Sequence, residues 1–531
     1  MTLLSNTFAI FILATLAVYY LCPKKNQWIC LLTASLVFYA FSGVGNFIFI
    51  LGSSLVTFFA AKIVAKMNND LKTKKLTFDK ETFKIIKHSI QNKKRLVLVG
   101  MLFLNIGILF YLKYWRVLIG SKTLLLPLGI SYYTLQAIGY FMDVYNAKIE
   151  KETNFAKFFL FISFFPQLIM GPINRYGIQG EQLKKEHKFD FENIKHGTML
   201  VLFGAMKKYV VANLLVTKIS AILDKNYDGL PGCVILFAIL MYSVYQYADF
   251  CGGIDMFMGV AELFGIKMQP NFKQPYFSVS IANFWQRWHI SLGQWMRDYV
   301  FYPFALTKMM GNLGKWCASH LGKHFGRVLP ACIANILVFM LVGIWHGPEL
   351  HFFVWGLYNG LLIALSDILK PAFKKMNEFL HINEKAKWFH LFRIIRTFIL
   401  VNIGWYFDRI ENVKQSFIYL KDTFVNFGNP IILTSKSYLR SIIGAISNFE
   451  SHIILIFIGT LIIFVISLFK ENKIDVYKAI QKKNIAIRWS AYYFLMILVI
   501  LSFTFSSGDT GFMYAEYSKK SLQKINFLEG F

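Results

Sequence analysis

The stretch NFWQRWHISLGQWMRDYVFYP, Asn283 to Pro303, decides how the chain is read. It places Arg287, His289, Arg297 and Asp298 among Trp285, Trp288, Trp295, Tyr299 and Tyr302. Written as one helix, it stacks Asn283, Arg287 and Ser291 at i, i+4 in a polar stripe. Trp288, Leu292 and Trp295 form an aromatic and apolar stripe beside it, with His289 at the junction. A helix facing lipid does not carry that load. Two readings fit the pattern. One is an interfacial amphipathic helix, with Trp and Tyr at headgroup depth and arginines snorkelling. The other is the wall of a polar site inside a bundle.

Outward from this stretch the chain is overwhelmingly apolar. It is 56% hydrophobic and 17% aromatic over 531 residues, with mean hydropathy +0.47. The runs Phe47–Ala61, Leu96–Tyr111, Val234–Tyr247, Ile453–Phe469 and Tyr492–Phe505 approach the ~20 residues that cross a bilayer, and their flanks extend them. Roughly a dozen spans or half-spans are expected. No long polar segment is available to form a soluble module. The fold class is therefore all-α and polytopic, a single membrane domain over residues 1–531 with its chemistry at about 150–350. Leu3–Leu21 reads as a retained first span, since no basic region precedes it and no small-residue cleavage site follows.

The net charge of +28 points away from nucleic acid here, because much of it lies between apolar runs, as the positive-inside bias requires. Lys66–Arg95, Gly311–Arg327, Lys370–Lys387, Lys470–Arg488 and the small Lys24–Lys25 pair are expected to face the cytoplasm. Spans then alternate to leave the N-terminus, Asp408–Glu450 and the tail after Phe505 outside. The cysteines Cys22, Cys30, Cys233, Cys251, Cys317 and Cys332 show neither metal-ligand nor disulfide spacing.

Ionisable residues at bilayer depth cost roughly 2.5–3.5 kcal/mol each on insertion scales and mark sites or pathways. That rule selects Arg175, Asp249, Asp255, Arg287, His289, Arg297, Asp298 and His346. Arg297 and Asp298 are expected to hold a helix end as ion pairs, and Asp249 and Asp255 to pair with Arg287 or Arg297. His346, after Trp345 in LVFMLVGIWHGPEL, ends an apolar run where Gly343, Gly347 and Pro348 loosen the backbone. Two intramembrane histidines suit proton transfer, because imidazole titrates near neutral pH. Zinc would need three or four clustered ligands, and the other histidines are scattered, so no metal is expected. Phe158–Arg175, with Pro166, Gly171 and Pro172, and the quoted stretch with its lead-in MQPNFKQPYFSVS, with Pro270 and Pro275, read as broken backbone buried in protein or lining a cavity. No Walker A loop, GxSxG elbow, GxGxxG after a strand or HExxH occurs.

At these residues the sequence resembles the membrane-bound O-acyltransferase family. NFWQRWHISLGQWMRDYVFYP and the later GIWHG carry the likeness, with LLLPLGISYYTLQAIGYFMDVY at Leu124–Tyr145, FFPQLIMGPINR at Phe164–Arg175, YADFCGGIDMFMG at Tyr247–Gly259 and GFMYAEY at Gly511–Tyr517. Within the family it is most similar to bacterial alginate O-acetylation proteins and their peptidoglycan-acetylating relatives. Cys251 stands where relatives often have a small hydroxyl residue. The resemblance implies a ring of tilted helices around a funnel and tunnel in a bacterial cell membrane. It implies His346 as catalytic residue and His289 as the second polar residue of the tunnel, with Arg175, Asp249, Asn283, Trp285, Arg287, Trp288, Ser291 and Trp345 lining or positioning. It further implies no tightly bound cofactor, an acyl thioester donor (acetyl-CoA or an acyl carrier) at the cytoplasmic face, and a separate extracytoplasmic polysaccharide O-acetyltransferase as partner. Two other readings stay open: D-alanyl transfer to teichoic acid, which shares both histidine motifs, and a transporter, although the internal repeats usual in transporters are not evident.

Overall fold

A computed structural model describes residues 6–41, 43–115, 127–224, 229–443 and 449–505. The motif at Gly511–Tyr517, the tail after Phe505, Leu124–Leu126 and the first residues of the expected Leu3–Leu21 span lie outside them. No strand occurs among the described residues. Eight described helices are long and apolar enough to cross a membrane, and all five apolar runs named above lie within them. The other apolar stretches of the expected dozen are shorter or interrupted, such as Asn6–Leu21 with 16 residues and Phe155–Ser163 with nine.

The described chain divides into two compact units. The first draws on Met1–Val201 and Phe257–Gln269. Its helices are α1 (Asn6–Leu21), α2 (Gln27–Ala40), α3 (Phe47–Thr77), α4 (Lys80–Phe110), α5 (Ile130–Tyr145) and α6 (Phe155–Ser163). The basic segment Lys66–Arg95 is less a loop than the ends of α3 and α4. Lysine is a good helix former, so only Phe78 and Asp79 break the run, and the Asp79 carboxylate accepts from the Glu81 and Thr82 amides to start α4. Lys94, buried on α4, donates to Asn68 Oδ1 at 2.6 Å and to the Tyr145 carbonyl at 2.9 Å.

After α6 the chain is irregular yet buried, as its proline and glycine pattern predicts. Gln167, fully buried, donates to the Phe161 carbonyl and accepts from Asn174 at 3.2 Å. These bonds serve backbone and side-chain groups that no water reaches. Glu152 anchors the next turn, accepting from Tyr176 Oη at 2.5 Å, Lys184 Nζ at 3.2 Å and two amides. Arg175 opens that turn, half-buried, in this unit.

The second unit draws on Leu202–Met256 and Pro270–Met513. It takes α7 (Phe191–Leu223) from Leu202 onward and α8 (Gly232–Leu263) up to Met256, followed by α9 (Ile281–Arg287), α10 (Ile290–Met296), α11 (Lys308–His320), α12 (Lys323–His346), α13 (Leu350–Ile368), α14 (Lys370–Phe379), α15 (Lys387–Arg409), α16 (Val413–Val425), α17 (Phe449–Glu471) and α18 (Ile485–Phe505). Asp408 is not the start of an outer loop as expected. It closes α15, buried, and accepts from Tyr242 Oη at 2.7 Å and Gln246 Nε2 at 2.5 Å. The hairpin of α12 and α13 is close enough that a Cβ on Gly343 would strike the Phe352 carbonyl, and one on Gly356 the Phe339 carbonyl.

Inside this unit α7 widens into a π-helical turn at Met206–Ala212, next to a backbone-to-backbone contact with α8. A Cβ on Gly204 would lie 2.6 Å from the Gly252 carbonyl. Gly204→Ala therefore overpacks a rigid seam, at a cost of about 1–3 kcal/mol. Its thermal unfolding in detergent is expected several degrees below wild type. Gly107→Ala, where a Cβ meets nothing within 4 Å, is expected to match or exceed wild type in the same scan.

Candidate active site

The quoted stretch is not one helix. α9 ends at Arg287, Trp288 is extended, and His289 takes a left-handed conformation with φ 46° before α10 begins. The stripe of Asn283, Arg287 and Ser291 is thus cut. The sequence periodicity fits an unbroken helix equally well, because the partner that makes the break favourable lies elsewhere. That partner is the proline-flanked strap at Asn271–Lys273. The Lys273 amide donates to the Arg287 carbonyl at 2.9 Å, and the Ile290 amide to the Asn271 carbonyl at 3.0 Å. Asn271 Oδ1 accepts from both the amide and the hydroxyl of Ser291, each at 2.9 Å.

Asn271, almost fully buried, also meets the His289 ring, its Nδ2 lying 3.1 Å from Nδ1. Phe250 stands edge-on to that ring at 4.8 Å, and Trp345 lies 6.4 Å from it. Trp345 in turn sits 5.2 Å from the ring of its neighbour His346. Both histidines are buried, at 4% and 6% exposure, and the two imidazoles singled out by sequence both neighbour the Trp345 ring.

His346 is the last residue of α12, and Gly347 continues in extended conformation. Its ring is boxed by Phe352, stacked at 5.9 Å, and Trp355, edge-on at 5.3 Å. Trp285 reaches this box from α9. It stands edge-on to Trp355 at 5.4 Å, and its Nε1 donates to Asn359 Oδ1 at 3.1 Å. Asn359 also donates to the Trp355 carbonyl at 2.9 Å. Trp288 packs on Phe284, Phe272 and Trp405 as wall.

The remaining sequence-selected residues fall outside this cluster. Asn283 accepts from the Val279 amide at the start of α9. Arg287 pairs with Glu471 at 2.8 Å. Arg297 donates from Nε to Asp298 at 3.0 Å. The aspartates of α8 meet lysines, not the expected arginines. Lys208 Nζ lies 2.5 Å from Asp249, with both side chains buried, and Lys207 Nζ lies 2.6 Å from Asp255. Lys207 also donates to Cys251 at 3.2 Å. Asp249 is thus a member of a structural ion pair. Sequence reasoning missed Lys207 and Lys208, although a lysine pair inside an apolar run is the same signal that selected the others. Asn271, Asn359 and Trp355 carry no such signal.

A family model for membrane-bound O-acyltransferases matches residues 146–403, which hold both histidines and the cluster around them except Trp405. "Probable alginate O-acetylase AlgI" of Pseudomonas syringae is 30% identical over 77% of this chain and 72% of its own length. The chain belongs to the membrane-bound O-acyltransferase family. "Peptidoglycan O-acetyltransferase" of Helicobacter pylori is 27% identical over 96% of this chain and 94% of its own. "Teichoic acid D-alanyltransferase" of Bacillus subtilis is 30% identical over 52% of this chain and 67% of its own. The protein is accordingly an acyltransferase, all-α and multi-pass, of a bacterial cell membrane.

The buried Lys208–Asp249 pair makes a sharp expectation. Removing one partner strands a buried charge, which typically costs about 3–5 kcal/mol, whereas replacing both with apolar residues is often neutral. Lys208→Met or Asp249→Leu alone should sharply reduce the folded fraction recovered in detergent. The double variant should return most of it, as read by fluorescence-detected gel filtration after a heat step.

Proposed function

We propose that this acyltransferase passes an acetyl group from a cytoplasmic thioester, acetyl-CoA or an acyl carrier, across the membrane for O-acetylation of an extracellular or cell-wall polysaccharide. A separate extracytoplasmic transferase receives the group. The observation that carries the reading is the buried pair His289 and His346 around Trp345, held on a broken helix and a helix end. Such a site offers a base within a buried aromatic box.

In this reading His346 takes the proton of the acceptor hydroxyl. The oxygen attacks the thioester carbonyl, the C–S bond breaks, and the thiolate leaves with the proton that His346 returns. A positioned general base contributes typically about 10²–10⁴-fold. The arginine and tryptophan side chains of the quoted stretch hold the wall, Arg287 through Glu471 and Trp285 through Asn359. Arg175, half-buried in the first unit, is assigned to substrate positioning. The five basic segments mark the cytoplasmic side, where their charge suits an anionic donor. The core at residues 150–350 carries the chemistry, and the segment that follows α15, to residue 450, faces outward.

The length of the match favours acetyl over D-alanyl transfer. The Helicobacter relative aligns over 96% of this chain and the Bacillus relative over 52%.

The test is to delete the gene, restore it as wild type or His346→Ala, and release esters from the wall and exopolymer fractions with mild base. Acetate should return with wild type and stay at least tenfold lower with the variant, a modest bound on the loss of a general base. A change in D-alanine instead would assign the protein to teichoic acid. Unchanged esters, with both proteins present in the membrane, would overturn transfer to wall polymers.

A further inference from the structure

The strap that stabilises the broken helix also decides where His289 keeps its proton. An amide side chain has one accepting and one donating end. The Ser291 backbone N–H can only donate, and it lies 2.9 Å from the Asn271 oxygen, as does the Ser291 hydroxyl. Asn271 Oδ1 also lies 3.3 Å from His289 Nδ1, but its two lone pairs are taken by the Ser291 amide and hydroxyl, so the bond to Nδ1 falls to Nδ2, the nearer end at 3.1 Å. Nδ2 donates, so Nδ1 must accept. A neutral imidazole that accepts at Nδ1 carries its hydrogen at Nε2. The orientation is held hard. Asn271 is 1% exposed, its own carbonyl is engaged by the Ile290 amide, and reversing the amide would set two N–H groups against each other at Ser291. Phe250 and Trp345 flank the ring.

We infer that Asn271 fixes His289 as its Nε2–H tautomer, and that His289 serves the transfer as a hydrogen-bond donor to the thioester carbonyl rather than as a base. The inference rests on the transfer reading above and divides the labour between the two histidines. His346 removes the proton from the hydroxyl. As the carbonyl carbon becomes tetrahedral, its oxygen gains negative charge, and the Nε2–H of His289 supplies a preorganised donor. Such a donor is worth about 10²–10³-fold in rate. Asn271 itself is a positioning residue, acting only through His289.

Two variants separate this role from proton transfer and from a merely structural one. His289→Gln places an amide N–H near the position of Nε2 but cannot shuttle protons. Asn271→Asp keeps an oxygen for Ser291, so the strap survives, but turns an acceptor toward Nδ1 and drives the proton there. The first measurement is ¹⁵N NMR of the full chain labelled on histidine, in detergent at neutral pH, with His289 assigned by its loss in His289→Gln. The expected result is a protonated Nε2 and a bare Nδ1, exchanged in Asn271→Asp. A proton on Nδ1 in wild type overturns the inference whatever the ester assay gives. The second measurement is ester formation in cells. His289→Gln should exceed His289→Ala by about tenfold or more, and Asn271→Asp should fall at least tenfold below wild type, within the span of a lost donor. His289→Gln no better than alanine, or Asn271→Asp at the wild-type level, overturns the donor role. Failure of the transfer reading is seen separately, as esters unchanged by His346→Ala; it removes the donor role and leaves the tautomer measured.

Discussion

A backbone that leaves the helix inside an apolar bundle must find protein partners for every amide it frees. At Trp288 and His289 that requirement is met by one short strap. Asn271 and Lys273 take up the carbonyl and amide groups on both sides of the break, and the rest of the site follows from their doing so. The break turns the chain so that Trp285 reaches the box around His346 from α9, while His289 faces Trp345 from the start of α10. An unbroken helix would present Ser291 and Arg287 on one face and would leave the strap's own polar groups buried without service.

The second support is close backbone contact. The α12–α13 hairpin brings main chain to main chain at Gly343 and Gly356, and His346 sits at its tip with Phe352 and Trp355 contributed by the returning helix. Histidine, box and hairpin are thus parts of one local structure, close in sequence. His289 is supplied by a distant segment, and only tertiary packing sets its place.

That difference explains what could be read from the sequence. His346 stood out in the sequence as an ionisable residue at the end of an uninterrupted apolar run, and its place between Phe352 and Trp355 is what the structure adds. The long spans were legible because their composition admits no other structure in water or lipid. The broken segment before Arg175 was legible from Pro166, Gly171 and Pro172. For the quoted stretch and its lead-in Pro270 and Pro275 likewise suggested a break, but not its place at His289, since Trp288 and His289 carry no proline or glycine and a polar stripe at helical spacing argues for continuity. The partners of Asp249 and Asp255 were misjudged for a similar reason. Charge complementarity says only that a cation is near, and the arginines of a conspicuous motif outbid two lysines in a plain run. Asn271 and Asn359 lie beyond sequence reasoning altogether, because an asparagine in an apolar setting looks the same whether it caps, bridges or merely tolerates burial.

The ion pair between Arg287 and Glu471 bears on modularity. The stretch that matches the family ends at residue 403, yet the arginine of its most distinctive motif is neutralised by the last turn of α17, well past that boundary. The charge balance of the family region is therefore not closed within its own boundary here. A chain trimmed to the matched residues would retain both histidines and lose the anion that settles the helix leading to one of them. What looks in sequence like an accessory C-terminal hairpin supplies the counter-charge to an arginine of the family's most distinctive motif.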